Sequence, residues 1–204
     1  MGITIEAARR AAFPAVAELL ARHLHDDPVY ADFLGERPDR SDALRRFLRA
    51  YLRSTPPHRL VAEVAVDDDG TLLGAAVWER SGIGRDSAVV GQLPYALPFL
   101  RALGAVGTVR GLRVQGRLER FRPIEPHWYL MTSAGPEEVA DALLRHRTAR
   151  LDGDDVAAYV EAPDERMRAL YERHGFVTGA TILGLPTARP IAMFRSPGRA
   201  ARRR

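Results

Sequence analysis

The sequence has no cysteine, no lysine and no uninterrupted apolar segment of membrane-spanning length. Without cysteine, the chain can form no disulfide, no thiolate metal site and no cysteine nucleophile. The longest apolar segment, residues 96–109, is broken by Pro98, Arg101 and two glycines, so we predict no membrane partner. Residues 1–10 are polar and do not resemble a signal peptide, which favours a cytoplasmic protein.

All 30 basic residues are arginines, and with 26 acidic residues they give a formal net charge of +4. We attribute the missing lysine to a GC-rich genome. Part of the positive charge lies in residues 199–204, a basic tail that we expect to be disordered. No basic face with interleaved aromatic residues is visible, so nucleic acid is not an expected partner. His23 and His25 lie two residues apart without a matching third ligand, and we therefore predict no metal site.

The spacing of apolar residues divides residues 1–198 into alternating strands and helices. The first half predicts a short strand, two amphipathic helices and an antiparallel hairpin whose turn contains Asp69 and Gly70. Residues 93–121 predict a helical insert of two helices separated by Gly104. The second half predicts strands at 127–133, 156–162, 176–183 and 190–195, with helices at 137–150 and 164–174. This alternation implies a mixed, partly parallel sheet in a single α/β domain that spans residues 1–198.

Three segments of the second half resemble the GCN5-related N-acetyltransferases and occur in the order seen in that family. They are His127-Trp128-Tyr129-Leu130, Tyr159-Val160-Glu161-Ala162 and the most specific one, Leu170-Tyr171-Glu172-Arg173-His174-Gly175-Phe176. The segment from Pro190 to Arg195 completes the match, which covers residues 127–195 well and the first half more weakly. The resemblance implies a V-splayed mixed sheet flanked by helices. Its strands at 127–133 and 156–162 would part to admit the pantetheine arm of coenzyme A.

The same resemblance implies an acyl-CoA-dependent N-acyltransferase that moves an acetyl group from acetyl-CoA or another acyl-CoA to a small-molecule amine. Tyr171 matches the tyrosine that protonates the departing thiolate in many family members. Glu161 is a candidate proton acceptor and His127 a candidate base or substrate contact. The alternatives are that Tyr171 packs on the sheet, that Glu161 faces solvent and that His127 has no catalytic duty.

The donor site implied by the resemblance includes the backbone of Leu130, Met131 and Thr132 and the side chain of Met167, where the family usually has an asparagine. The family also has a glycine-rich run after this strand, whose amides hold the pyrophosphate of coenzyme A. Here the run reads Ser133-Ala134-Gly135-Pro136-Glu137-Glu138, which lacks the glycine pattern and looks several residues too short. Pro136 has no N–H, and acids in the first helical turn repel phosphate. The cradle is therefore degenerate, and the alternative function is a protein that no longer uses acetyl-CoA and binds a small molecule or catalyses a different reaction in the same cleft.

Three residues are candidates for the acceptor site because the hairpin and the helical insert lie where this family binds acceptors. They are Trp78, Glu79 and Tyr95. The alternative for the aromatic residues is core or rim packing. The sequence leaves a homodimer open.

Overall fold

The computed structural model describes residues 2–81 and 89–198, with the side chains of residues 89–96 excepted. Its strands are β1 (Thr4–Ala7), β2 (Leu60–Val66), β3 (Leu72–Ser81), β4 (His127–Ala134), β5 (Ala157–Ala162), β6 (Val177–Thr181) and β7 (Ile191–Arg195). Its helices are α1 (Phe13–His23), α2 (Pro28–Leu34), α3 (Arg40–Ser54), α4 (Val89–Glu119), α5 (Glu137–Gly153) and α6 (Glu165–Arg173). The predicted basic tail, residues 199–204, lies outside the described residues.

The described strands form one seven-stranded sheet in the order β1-β2-β3-β4-β5-β7-β6. Neighbouring strands are antiparallel except β4 and β5, which run parallel and are connected by α5. A parallel pair requires such a crossover connection, and the strand–helix–strand pattern of the second half predicted it. The predicted mixed, partly parallel α/β fold is confirmed.

Helices cover both faces of the sheet. On one face, α1 and α3 bury apolar side chains such as Leu20 and Leu48 against β2 and β3. On the other face, α5 and α6 pack Leu143, Leu144 and Leu170 against β3, β4 and β5. The second half of α4 and the connection between β6 and β7 enclose a third apolar cluster at the edge of the first face. Within the described residues, no helix has both the length and the apolar character needed to cross a membrane.

The predicted helical insert is present as α4. Gly104 interrupts α4 with φ +72°, a left-handed conformation that suits glycine, so the insert consists of two helical segments as predicted. The apolar side chains Val114 and Leu118 of the second segment face the core and contact the buried Ile182 and Leu185.

The sequence pattern missed α2. Asp27 caps this additional helix, its Oδ1 accepting hydrogen bonds from the amides of Val29 (2.8 Å) and Tyr30 (3.1 Å). Pro28 occupies the first turn, where its fixed φ and missing N–H are tolerated.

Asp32 fixes α2 to the connection between β6 and β7. Its buried carboxylate accepts hydrogen bonds from the Thr187 hydroxyl (2.7 Å), the Thr187 amide (3.0 Å to Oδ2) and the Ala188 amide (2.8 Å). The three donors lie in a loop that also buries Ile182 and Leu185. This Asp32 clamp holds one end of α2 in place over the first face of the sheet.

Candidate active site

The two parallel strands separate at the centre of the sheet. Their pairing ends at Leu130 of β4 opposite Val160 of β5. Beyond this point, β4 continues to Ala134 beside β3, whereas the end of β5 pairs with β7. The β4–β5 wedge between them therefore has main-chain groups that no described strand pairs with on that side.

A bulge lies in β4 at the mouth of the wedge. Trp78 of β3 pairs with Leu130 and Val77 pairs with Thr132, so Met131 is an extra residue in β4. Bulges bend a strand and change the direction of its side chains, and they are common beside active sites. Here the Sδ of Met131 accepts a hydrogen bond from the Tyr30 hydroxyl at 3.1 Å.

A cleft of about 460 Å³ extends from the wedge across the first face of the sheet. Its floor is formed by β4 from Tyr129 to Ala134 and by Val160 and Glu161 of β5. Its walls are residues of α2, α3, α4 and α6. The predicted donor-site residues Leu130, Met131, Thr132 and Met167 all line this cleft, as do Tyr171, Glu161 and Glu79.

Tyr171 lies on α6 beside the wedge. Asp164 caps α6 by accepting a hydrogen bond from the Met167 amide at 2.8 Å, and Gly175 follows the helix with φ +82°. Tyr171 is buried, its ring 5.8 Å from that of Phe176, and it lines the cleft. Burial raises the pKa of Tyr171 above that of an ordinary phenol, so the side chain stays protonated at physiological pH.

Glu161 is held in a buried ion pair at the cleft floor. Its Oε1 lies 3.2 Å from the Nε of Arg122, and the side chains are 5% and 10% exposed respectively. The Arg122 guanidinium also stacks over the ring of Tyr129, 3.7 Å from its centroid. Glu161 therefore faces the cleft rather than solvent, but its carboxylate already has a cationic partner.

Glu79 of β3, which pairs with Tyr129 of β4, has a comparable arrangement in the cleft lining. It accepts a hydrogen bond from the Tyr51 hydroxyl, and its other oxygen accepts one from Arg59 at 3.0 Å. Burial raises the pKa of Tyr51 well above the usual value, and the neighbouring carboxylate of Glu79 raises it further. Glu79 lines the cleft, and its part in an acceptor site stays a prediction.

Two predicted site residues do not line the cleft. Trp78 is fully buried on the opposite face of the sheet among residues of α5, and the expectation that it contacts the acceptor was wrong. His127 is 1% exposed, and its Nδ1 is 2.8 Å from the carbonyl of Glu125. Burial lowers the pKa of His127, which favours the neutral ring and a structural role at the start of β4. The side chain of Tyr95 lies outside the described residues.

Asp27 is a cleft residue that the sequence pattern did not single out as functional. It lines the cleft beside α2, and its Oδ2 has no hydrogen-bond partner among the described residues. Burial raises the pKa of Asp27, although the amides of Tyr30 and Val29 oppose the shift, and the charge of Asp164 adds to it. The Asp27-Pro28 pair was a recognisable helix-start signal, but nothing in the sequence placed it opposite α6.

Solved acetyltransferase structures share this architecture. The histone acetyltransferase HPA2 and related acetyltransferase of Corynebacterium glutamicum matches with a TM-score of 0.73 and 26% identity, over 97% of this chain and 98% of that chain. Arylalkylamine N-acetyltransferase 2 of Aedes aegypti matches with a TM-score of 0.60 and 11% identity, over 97% and 100%. The chain belongs to the GCN5-related N-acetyltransferase (GNAT) superfamily.

A third solved structure also shares this fold. Polyamine N-acetyltransferase of Drosophila melanogaster matches with a TM-score of 0.57 and 14% identity, over 95% of this chain and 98% of that chain. No protein-family model matches the sequence, and no curated protein matches it.

The GNAT fold implies acyl-CoA as the co-substrate, and the cleft fits only part of that molecule. The β4–β5 wedge is open and lined by Leu130, Met131 and Val160, which suits an uncharged arm. The turn that follows β4 is only Gly135 and Pro136 before α5 begins at Glu137. The amides of Val139 and Ala140 both bond to the Pro136 carbonyl, at 3.0 and 2.9 Å. The first turn of α5 therefore offers few free amides to a pyrophosphate. Among the described residues, no group of three or more histidine, aspartate or glutamate side chains is placed to hold a metal ion.

Proposed function

We propose that the protein is an N-acyltransferase that moves an acyl group, acetyl by preference, from an acyl-CoA thioester to a cationic small-molecule amine. The observation that carries this proposal is the open β4–β5 wedge with the phenol of Tyr171 beside it. The acyltransferase folds of the structural neighbours support it at the level of the superfamily.

Charge favours a cationic acceptor. The carboxylates that line the cleft among the described residues are Asp26, Asp27, Glu79, Glu119, Glu137, Glu161 and Asp164. The guanidinium groups that line it are Arg59, Arg122 and Arg166. Carboxylates in a walled cleft raise the local concentration of cations, so an ammonium group is attracted. Within the described part of the chain, Glu79 and Glu161 are each paired with an arginine, whereas the only side-chain hydrogen bond to Glu119 comes from the Gln115 amide at 3.0 Å.

The reaction is a direct transfer. The amine nitrogen attacks the thioester carbonyl carbon, a C–N bond forms, the C–S bond breaks, and the leaving thiolate takes up a proton. Tyr171 is the proposed hydrogen-bond and proton donor to that thiolate, because its raised pKa keeps the hydroxyl protonated until charge develops on sulfur.

Asp27 is the proposed acceptor of the amine proton, directly or through a water molecule. Its raised pKa makes it a better base than an ordinary aspartate, and its Oδ2 accepts no hydrogen bond from the residues that the structure describes. Glu161, the acid first expected to fill this role, is the weaker candidate because its carboxylate is already paired with Arg122 at 3.2 Å.

The test is an assay of thiol release with acetyl-CoA and a panel of agmatine, spermidine and tryptamine. We expect turnover with at least one of these amines. General acid–base residues contribute typically 10²–10⁴-fold, so Tyr171→Phe and Asp27→Asn should each lower kcat by roughly 10²-fold or more. Asparagine also caps helices well, so Asp27→Asn should remain folded.

Tyr159→Phe is the matched control for Tyr171→Phe. Tyr159 is equally buried and does not line the cleft. Its loss should leave kcat within about threefold of the parent, since it touches no reacting group. Turnover by Tyr171→Phe at the same rate as Tyr159→Phe would remove Tyr171 from the mechanism.

A second candidate function is supported by the short turn after β4. A protein that no longer uses acetyl-CoA as a co-substrate would still bind a cationic small molecule in the acidic cleft. It would show a ligand-dependent rise in melting temperature with an amine and none with coenzyme A at any concentration. Ligand at about a hundred times its Kd should stabilise the fold by about 2.7 kcal/mol, which such a measurement detects readily.

A further inference from the structure

We propose that the protein recognises its acyl donor by the pantetheine arm alone, and that the nucleotide half of coenzyme A contributes no binding. The minimal donor is then an acyl-pantetheine thioester. This inference rests on the proposed transferase function and specifies which part of the donor the cleft binds.

The wedge suits an uncharged arm. Near the separation point it is lined by the uncharged side chains of Leu130, Met131, Val160, Met167 and Leu170. The neighbouring Glu161 is paired with Arg122. Pantetheine is a neutral chain with two amides. The edge of β4 beyond Leu130 has no described partner strand on the wedge side and can therefore hydrogen-bond those amides.

The turn beyond the wedge is closed against β3. A Cβ on Gly135 would lie 3.2 Å from the Cα of Gly74 and 3.1 Å from the Cγ1 of Val139. A Cβ on Gly74 would lie 2.7 Å from the carbonyl oxygen of Ala134. Because the turn packs this closely against the neighbouring strand, its backbone cannot form a wider loop that surrounds two phosphates.

The amides that would face a phosphate at this turn are mostly lost. Pro136 has no N–H, and the amides of Val139 and Ala140 already donate hydrogen bonds to the Pro136 carbonyl. Only Glu137 and Glu138 retain first-turn amides, and their carboxylates repel an anion there.

The charges around the donor end also oppose a phosphate. Asp164, which caps α6 through the Met167 amide, lines the cleft. Glu137 lines the cleft and is paired with Arg173 at 2.6 Å. Arg166 is the lining cation at this end without an ion-pair partner among the described residues. A diphosphate with an additional 3′-phosphate would meet more carboxylates than guanidinium groups.

The experiment compares acetyl-CoA, acetyl-pantetheine and acetyl-4′-phosphopantetheine as donors to one amine at fixed salt. A single charge-assisted hydrogen bond to a phosphate is enough to change affinity by about tenfold or more. We therefore expect kcat/KM for acetyl-CoA to exceed that for acetyl-pantetheine by less than about tenfold. The phosphopantetheine donor shows whether Arg166 adds binding to a single phosphate.

A binding readout accompanies the kinetics. The melting temperature is measured with pantetheine, with coenzyme A and with the free nucleotide half of coenzyme A. We expect equal shifts from the first two ligands and no shift from the third. Asp164→Asn, which keeps the α6 cap, should raise the acetyl-CoA to acetyl-pantetheine ratio of kcat/KM by removing a repelling charge. Asp69→Asn, in the exposed β2–β3 turn, is the control and should leave the ratio unchanged.

The outcomes separate the two proposals. Turnover with acetyl-CoA but more than about tenfold less with acetyl-pantetheine would overturn the inference and leave the transferase function standing. Equal melting shifts without turnover on any amine would keep the inference about the arm and contradict the proposed function. No shift with either pantetheine or coenzyme A would contradict both.

Discussion

Removing the Asp32 clamp should destabilise the fold strongly. The carboxylate is 5% exposed and accepts hydrogen bonds from two amides and one hydroxyl of the β6–β7 connection. Hydrogen bonds to a charged group contribute about 1.5–3 kcal/mol each, and the desolvation of a buried carboxylate offsets part of their sum. We therefore expect Asp32→Ala to lower the free energy of unfolding by about 3–4 kcal/mol. At about 2–4 °C per kcal/mol for a chain of this size, the melting temperature should fall by roughly 6–16 °C.

The assay is urea denaturation of the parent, Asp32→Ala and Asp32→Asn. Asparagine keeps one acceptor oxygen but turns an NH₂ group toward the other donors. The free energy of unfolding of Asp32→Asn should therefore fall by an intermediate amount, about 2 kcal/mol. Asp39→Ala is the control, because Asp39 also accepts hydrogen bonds from two arginines, Arg37 and Arg46, but at the surface. Those hydrogen bonds lower the pKa of Asp39 to about 2, yet solvent screens the pair and its loss should matter little.

The clamp also reaches the cleft. α2 carries Tyr30 and Phe33, and both side chains line the cleft. Loss of the clamp should let α2 shift, and we expect this to raise KM for the amine more than it lowers kcat. Equal unfolding midpoints for Asp32→Ala and Asp39→Ala would refute the reasoning, since they would show that the three buried donors find other partners at no cost.

Two further predictions concern packing and pH. Gly74→Ala would place a Cβ 2.5 Å from the Cγ1 of Val139 and should cost about 1–3 kcal/mol in a denaturation experiment, whereas Gly153→Ala meets no atom within 4 Å and should cost nothing. Burial lowers the pKa of His127, so the unfolded chain takes up a proton first as pH falls through about 6.5, and stability is lost from there down to the folded pKa. His127→Phe should reduce the slope of stability against pH in that window, and an unchanged slope would show that other groups set it.

The sequence predicted the sheet and most helices because their signals are local. Periodicity, the Asp-Gly turn and the position of Gly104 each depend on a few neighbouring residues, and each is confirmed in the structure. α2 was missed because an Asp-Pro pair ends one helix and starts the next, and only the cap hydrogen bonds distinguish the two.

The site was harder to predict because it depends on which face of each strand meets which helix. Alternation along β3 separates Trp78 from Glu79, but it does not say which of the two faces the cleft. The ion-pair partners of the predicted acids could not be predicted from the sequence either. Arg59 lies 20 residues from Glu79, and Arg122 lies 39 residues from Glu161. Asp27 gained its raised pKa from burial that only the tertiary fold creates.

The β4–β5 wedge has a mechanical consequence. The sheet is continuous across its middle only through the residue pairs from His127 opposite Ala157 to Leu130 opposite Val160. The chain thus resembles two half-sheets joined by a narrow hinge, with β1 to β3 on one side and β6 and β7 on the other. A ligand seated in the wedge would touch both halves, so its binding would add contacts that hold them together.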